Sequence, residues 1–161
     1  MKLPIVKIVK LYQAIELIRS RADLKKKFSY ALIKTKAQIK PVYDAVAEME
    51  RLPPELLEFE KEREEAAHRF ARRKENGEVE SEGAVIKLDN PQAYAAVLDS
   101  LRNKYLAHLT AYENSQKEVR QHVLVEEAVN ICQVPFEMFP EEISPEMLEA
   151  LEPMIEAEAK P

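Results

Sequence analysis

The chain has little glycine, with only two such residues in 161. Glycine adopts backbone conformations that other residues rarely reach, and phosphate-binding loops depend on it. The scarcity therefore argues against a nucleotide-binding protein built on a Gly-rich loop, and against long irregular loops in general.

Cys132 is the only cysteine, so no disulfide can form within one chain. This fits a reducing compartment, or one in which disulfides are not needed. Cys132 lies in an apolar stretch, and we expect a buried, inert thiol. No run of eighteen uncharged apolar residues occurs, so no membrane span is predicted. Lys7 and Lys10 interrupt the apolar N-terminal run, which argues against a signal peptide.

Motifs for catalysis are also missing from the sequence. It contains no Walker loop, Rossmann fingerprint, zinc spacing or nucleophile motif, so we expect no enzyme and no cofactor. Glu65 and His68 match the Glu-x-x-His spacing of di-iron bundles, but the second copy of that motif is absent. Both fall on the polar side of their segment, so a metal-binding helical protein is the weakest of our alternatives.

Charge is plentiful and strongly segregated along the chain. Residues 1–40 hold eleven Lys or Arg and two acidic residues, a net charge of +9, whereas residues 121–161 hold ten Glu and one Lys, a net charge of −9. Opposite charges steer contacts and choose partners more than they stabilise a fold. We therefore predict that the acidic end lies against the basic first helices, within one chain or head-to-tail between chains.

Hydrophobic periodicity and capping signals divide the chain into segments. They predict basic helices within 4–51, with a kink or break at Pro41, and an acidic helix over 54–73. A β-hairpin is predicted over 78–88 and a long helix over 91–117, which Asn90-Pro91 would start. The rest, 119–156, is predicted to be an extended segment and a short acidic helix, which Ser144-Pro145 would start. The pattern leaves strand and helix open for 119–139.

These segments predict a fold class. We expect one mainly α (α+β) domain over 1–161, with a small β-hairpin or strand element. The second segment, about 24–51, and the helix over 91–117 have similar lengths and one apolar face each, so they would form an antiparallel pair. The first segment begins with β-branched residues, and a strand is the alternative there.

The first helix has apolar residues on more than one side. Val6 and Leu17 fall nearly opposite the main apolar face, which includes Ile8 and Ile15. A helix that is apolar around so much of its girth is central in a core or buries a second face on a partner. Val6 and Leu17 are therefore candidate interface residues.

Lysines in the second segment are the candidates for contact with nucleic acid or an acidic partner. On a helix they surround the apolar face instead of forming one phosphate-tracking stripe, so nucleic-acid binding is the alternative and not the leading hypothesis. The candidates are Lys25, Lys26, Lys27, Lys34, Lys36 and Lys40.

Several short stretches of the chain form a recognisable order: Phe28–Lys34, the acidic helix ending near Asn76-Gly77, Ile86–Pro91, Val134–Phe136 and Ile143–Pro153. In this order they resemble a family of small, uncharacterised phage and prophage proteins. The resemblance implies a phage or prophage origin, no known catalytic activity and no site residues. It also implies a location in the cytoplasm of a bacterial host or in a virion.

Together these observations favour a non-enzymatic protein-interaction protein. It would be a virion or assembly component, or a modulator of a host protein. A protein partner, either a second copy or a host or phage protein, follows from the segregated charge and the broadly apolar first helix.

Overall fold

The computed structural model describes residues 1–83 and 85–156. Six α-helices and four short strands lie in this part of the chain. The helices are α1 (Ile5–Ile18), α2 (Lys26–Glu50), α3 (Pro54–Arg69), α4 (Pro91–Lys104), α5 (Leu106–His122) and α6 (Pro145–Leu151). The strands are β1 (Lys2–Pro4), β2 (Ser81–Glu82), β3 (Val85–Ile86) and β4 (Glu126–Ala128). The predicted mainly α (α+β) class is confirmed.

Contacts divide the chain into two compact units. The first contains 1–50 and 117–161, and the second contains 51–116. That the whole chain acts as one domain stays a prediction.

In the first unit, α1 is the central helix. Ile8, Leu11 and Ile15 are fully buried in the main apolar cluster, which also takes in side chains of α2, α6 and the segment 129–139. The β-branched start is helical, which decides against the strand alternative. Backbone amides at this end have no partner within the helix, and here those of Ile5 and Val6 donate to carbonyls of residues 125 and 123.

Helix α2 packs on α1 and is continuous from Lys26 to Glu50, so a break at Pro41 is excluded, whereas a kink there stays a prediction. Pro41 is exposed, while Ile39 and Val46 on either side of it are buried. Burial of the apolar face before and after the proline offsets the loss of one backbone hydrogen bond.

The ambiguous stretch 119–139 is helical only at its beginning. Helix α5 ends at His122, and β4 then pairs antiparallel with β1, placing Leu3 opposite Glu127. A 3₁₀ turn follows at Phe136–Met138. Helix α6 begins where Ser144 caps it by accepting from the amide of Met147, and a second 3₁₀ turn continues it over Glu152–Met154.

In the second unit, the acidic helix is shorter than the predicted 54–73, because α3 ends at Arg69. The next residues are extended: Ala71 pairs with Leu88 and Arg73 with Val79. They flank the predicted hairpin, whose strands β2 and β3 pair Ser81 with Ile86. The hairpin over 78–88 is thus confirmed, and Ala71 and Arg73, which the longer helix would have included, pair with its two ends.

The predicted continuous helix over 91–117 is wrong. It is divided at Tyr105, where the backbone turns to φ −104° and ψ 12°, into α4 and the longer α5. The Tyr105 ring is buried edge-on against Phe59, with ring centroids 5.6 Å apart, and its hydroxyl donates to Glu62 Oε1 at 2.7 Å. These contacts with α3 hold the tyrosine at the boundary between α4 and α5. The stretch 91–117 is therefore not one helix as long as α2, and α2 packs on α1 within its unit.

Candidate interaction surface

A groove of about 500 Å³ runs between α1 and α6 in the first unit. Its floor is apolar and includes Ala14, Met147 and Ala150. Leu17 stands at its edge with 70% of its surface exposed, which makes it the most exposed large apolar residue of the described chain. A concave apolar surface with an exposed leucine beside it is typical of a binding site for a protein side chain.

The two sides of the groove carry opposite charges. Lys7 and Lys10 line the α1 side, whereas Glu146 and Glu149 line the α6 side, and all four are exposed. The lining charges therefore sum to zero while being separated across the groove. Such an arrangement can set the orientation of an occupant, because each side of the occupant must bring the opposite sign.

Two contacts define how α1 and α6 run. Lys7 Nζ lies 4.0 Å from Glu152 Oε2, just past the end of α6, and Arg21 Nη1 donates to the backbone oxygen of Glu142, just before its start. The two helices are therefore antiparallel. The predicted contact between the acidic C-terminal part and the basic first helices is confirmed within one chain.

That contact depends mainly on apolar packing. Leu148 and Ala150 pack against the cluster that contains the α1 core residues, and Leu151 and Met154 are fully buried in it. The Lys7–Glu152 pair is more than half exposed on both sides, so it contributes little stability. Burial holds α6 in place, and the charges are left to face solvent or a partner.

Of the two predicted interface residues, Leu17 lines the groove and Val6 does not. Val6 is half-buried, and its amide is bonded to the carbonyl of Val123. The structure places the two side chains in different surroundings, although the sequence pattern put them on the same side of the helix. The interface role of both residues stays a prediction.

Four of the six candidate lysines already contact other groups of the chain. Lys25 donates to the backbone oxygen of Glu137, and Lys34 lies over the Tyr30 ring, 5.8 Å from its centroid. Lys36 pairs with Glu16 and Lys40 with Asp44. The hydrogen bond from Lys36 holds the pKa of Glu16 below its ordinary value. These pairs reduce the positive field that a polyanion would meet.

Lys26 and Lys27 are exposed, and so are Tyr30 and Ile33 farther along α2. Positions 26, 30 and 33 fall on one side of a helix, opposite the buried Phe28 and Thr35. This outward face of α2 combines cationic, aromatic and aliphatic side chains. The structure thus places Lys26 of the predicted basic region on the same face as Tyr30, an aromatic residue that sequence reasoning did not include.

Candidate metal ligands are not brought together. Glu65 and His68 are exposed on α3, where His68 Nε2 lies 4.0 Å from Glu64 Oε1. Within 1–83 and 85–156, no three side chains of His, Cys, Asp or Glu form a group that could hold a metal ion. His108, which an unbroken helix would place on the apolar face, is exposed on α5.

Cys132 lies half-buried beside a small pocket of about 120 Å³, which Lys34, Gln38 and Asn130 also line. Its backbone amide donates to the hydroxyl of Thr35 at 3.0 Å. Cys132 thus belongs to the packing between α2 and the segment that follows β4, but it is half-buried and not fully buried as predicted, because it lines this pocket. That its thiol is inert stays a prediction.

The groove between α1 and α6 was also missed by sequence reasoning. The separated charge and the exposed Leu17 signalled a contact surface, but the sequence carried no sign that α6 would lie beside α1 and leave a concave gap. Ser144-Pro145 marked where α6 begins, and no local signal could give its position in space.

Comparison with protein-family models, with curated protein sequences and with solved structures finds no match for this chain. Among the described residues, no helix combines the length and the apolar composition that crossing a membrane requires.

Proposed function

We propose that this protein is a non-enzymatic interaction protein that binds an amphipathic helix of a protein partner in the groove between α1 and α6. The groove itself supports this most directly, because its apolar floor is bounded by a basic side and an acidic side. The absence of catalytic motifs from the sequence adds support. Its origin in a phage or prophage is proposed on the resemblance alone.

An amphipathic helix suits this groove better than an extended peptide. The floor offers apolar contact along two antiparallel helices, and a third helix can lay an apolar stripe between them with anchors at positions i, i+3 and i+7. An extended strand would gain its affinity from backbone hydrogen bonds at a sheet edge, which helices do not offer. The bound helix would carry acidic residues beside Lys7 and Lys10, and basic residues beside Glu146 and Glu149.

The test is a selection of helical peptides from a display library against the whole protein, followed by titration of the selected peptides. We expect them to share an apolar stripe with acidic residues along one edge and basic residues along the other. Leu17→Asp should weaken their binding at least tenfold, because it puts a charge into an apolar contact.

Ile33→Asp is the matched control, since Ile33 is 67% exposed and lies on α2 of the same unit. It should change the affinity by less than about twofold, as a surface substitution outside the site would. If the selected peptides bind the wild type and the Leu17→Asp variant equally well, the groove is not the binding site.

A second candidate function is single-stranded nucleic-acid binding on the outward face of α2. Tyr30, 61% exposed between Lys26 and Lys34, favours it, because an exposed ring beside cations can stack a base. Labelled DNA or RNA should then be retained at low salt and released steeply as salt rises, and Tyr30→Ala should lower retention. No retention at low salt would end this alternative.

A further inference from the structure

The groove carries its own electrostatic complement. A side of the groove that offers Lys7 and Lys10 needs an acidic partner surface, and a side that offers Glu146 and Glu149 needs a basic one. A surface with both properties, separated by an apolar strip of the same width, is already present in this protein. It is the groove of a second copy.

We propose that the α1–α6 surface pairs with the same surface of a second copy in a two-fold symmetric dimer. This proposal goes beyond the proposed function, because the second copy would cover the groove with its own α1–α6 surface and not with a separate helix. The symmetry axis would lie along the groove, so that α1 of each copy faces α6 of the other. Residues at the same level along the groove would then meet across the interface.

The antiparallel course of α1 and α6 fixes which residues share a level. Lys7 lies at the Glu152 end and Arg21 at the Glu142 end. Lys10 is therefore nearer the Glu149 part of α6, and Leu17 is nearer the part that holds Ser144 and Met147. In the dimer, Lys10 meets Glu149 of the second copy, and Leu17 covers Met147 of the second copy.

Two-fold symmetry makes each of these contacts occur twice. Both Lys10–Glu149 contacts join opposite charges, and two exposed leucines leave water together. A head-to-tail contact would pair the basic surface of one copy with a separate acidic surface of the next. Each copy would then keep one unpaired surface, and further copies could add without limit. The zero net charge of the lining favours the closed dimer, because neither copy repels the other across the groove.

Charge reversal on the whole protein tests the proposal, with molar mass measured by light scattering over a series of concentrations. We expect the wild type to form a dimer. Lys10→Glu alone and Glu149→Lys alone should each raise the dimer dissociation constant about tenfold or more, because two like-charge contacts replace two opposite-charge ones. Lys27→Glu, the same charge change on exposed α2, should leave it unchanged.

Mixing the two single variants gives the decisive result. In a mixed dimer, the new Glu at 10 of one copy faces the new Lys at 149 of the other, and the second contact keeps its original residues. The mixture should therefore dimerise about as well as the wild type, although neither variant does so alone. A charge effect confined to one chain cannot be rescued by mixing.

A wild-type protein that stays monomeric from micromolar to millimolar concentration would overturn the proposal. So would a dimer that Lys10→Glu does not weaken, or variants that mixing does not rescue. The proposed function fails separately, if the Leu17→Asp variant keeps its affinity for selected helical peptides. A monomer that binds such peptides in a Leu17-dependent way would keep the proposed function and exclude only the second copy as its occupant.

Discussion

Thr35 offers the sharpest test of how the first unit is held together. It is the only polar side chain that is fully buried in the described part of the chain, and its hydroxyl accepts a hydrogen bond from the amide of Cys132 at 3.0 Å. The bond joins α2 to a segment 97 residues farther along the chain. Thr35→Val removes the acceptor and keeps the shape, whereas Thr35→Ser keeps the hydroxyl and removes a methyl group.

The expected losses of stability are similar in size but different in origin. Thr35→Val leaves the Cys132 amide without its partner, a cost of about 1–3 kcal/mol, of which the new methyl group recovers less than ~1 kcal/mol. Thr35→Ser loses roughly 1 kcal/mol for the buried methyl group and the space it leaves. Unfolding in urea, followed by far-ultraviolet circular dichroism, should therefore place both variants below the wild type.

Amide hydrogen exchange separates the two causes. The Val134 amide, which donates to the Met154 carbonyl at 2.8 Å, is a nearby internal reference. In Thr35→Ser, exchange at Cys132 and Val134 should accelerate by the same factor, because only overall stability changes. In Thr35→Val, exchange at Cys132 should accelerate about tenfold more than exchange at Val134. The reason is that the lost hydrogen bond contributes about 1.4 kcal/mol, which corresponds to a factor of ten in local opening. Equal acceleration in Thr35→Val, or unchanged stability, would refute the reasoning.

Two further predictions concern other parts of the chain. Lys104 and Tyr105 donate hydrogen bonds to Glu62, and these bonds hold the pKa of Glu62 below its ordinary value of 4.5. The stability that the bonds provide is therefore fully present above pH 4.5, and it is lost as the pH falls through the lowered pKa of the folded state. Thermal unfolding at a series of acidic pH values should show a shallower loss for Glu62→Gln than for the wild type, and equal slopes would contradict this. Pro41→Ala should raise the free energy of unfolding by about 1 kcal/mol or more, because alanine restores a helix amide at an exposed site and is the better helix former. Urea unfolding measures this change, and a destabilised variant would contradict the reasoning.

Local signals predicted where most helices begin. The Asn90 side chain accepts from the amide of Ala93 at the start of α4, and Ser144 does the same for Met147 at the start of α6. In both cases the capping residue and the proline after it are adjacent in sequence, so no distant contact is needed to read them. The hairpin over 78–88 was predictable for the same reason.

Distant contacts account for what the sequence did not reveal. The apolar spacing continues through Tyr105 into Leu109, so nothing local marks the break, which depends on Phe59 and Glu62 of another helix. Burial on both sides of Pro41 likewise overrode its local preference. The groove also depends on distant contacts, because α1 and α6, which form it, are separated by more than a hundred residues of sequence.

The antiparallel pairing of β1 with β4 has a consequence for synthesis. The second unit, 51–116, lies between the two chain segments that make up the first, so its contacts are complete before those of the first unit can be. While the ribosome makes the intervening residues, the 129–139 segment and α6 do not yet exist. Until they are made, the isoleucines of α1 that are buried in the folded protein can pack only against α2. Folding on the ribosome would thus finish the inserted unit first, and the exposed α1–α2 pair would be the stage most open to chaperones or aggregation.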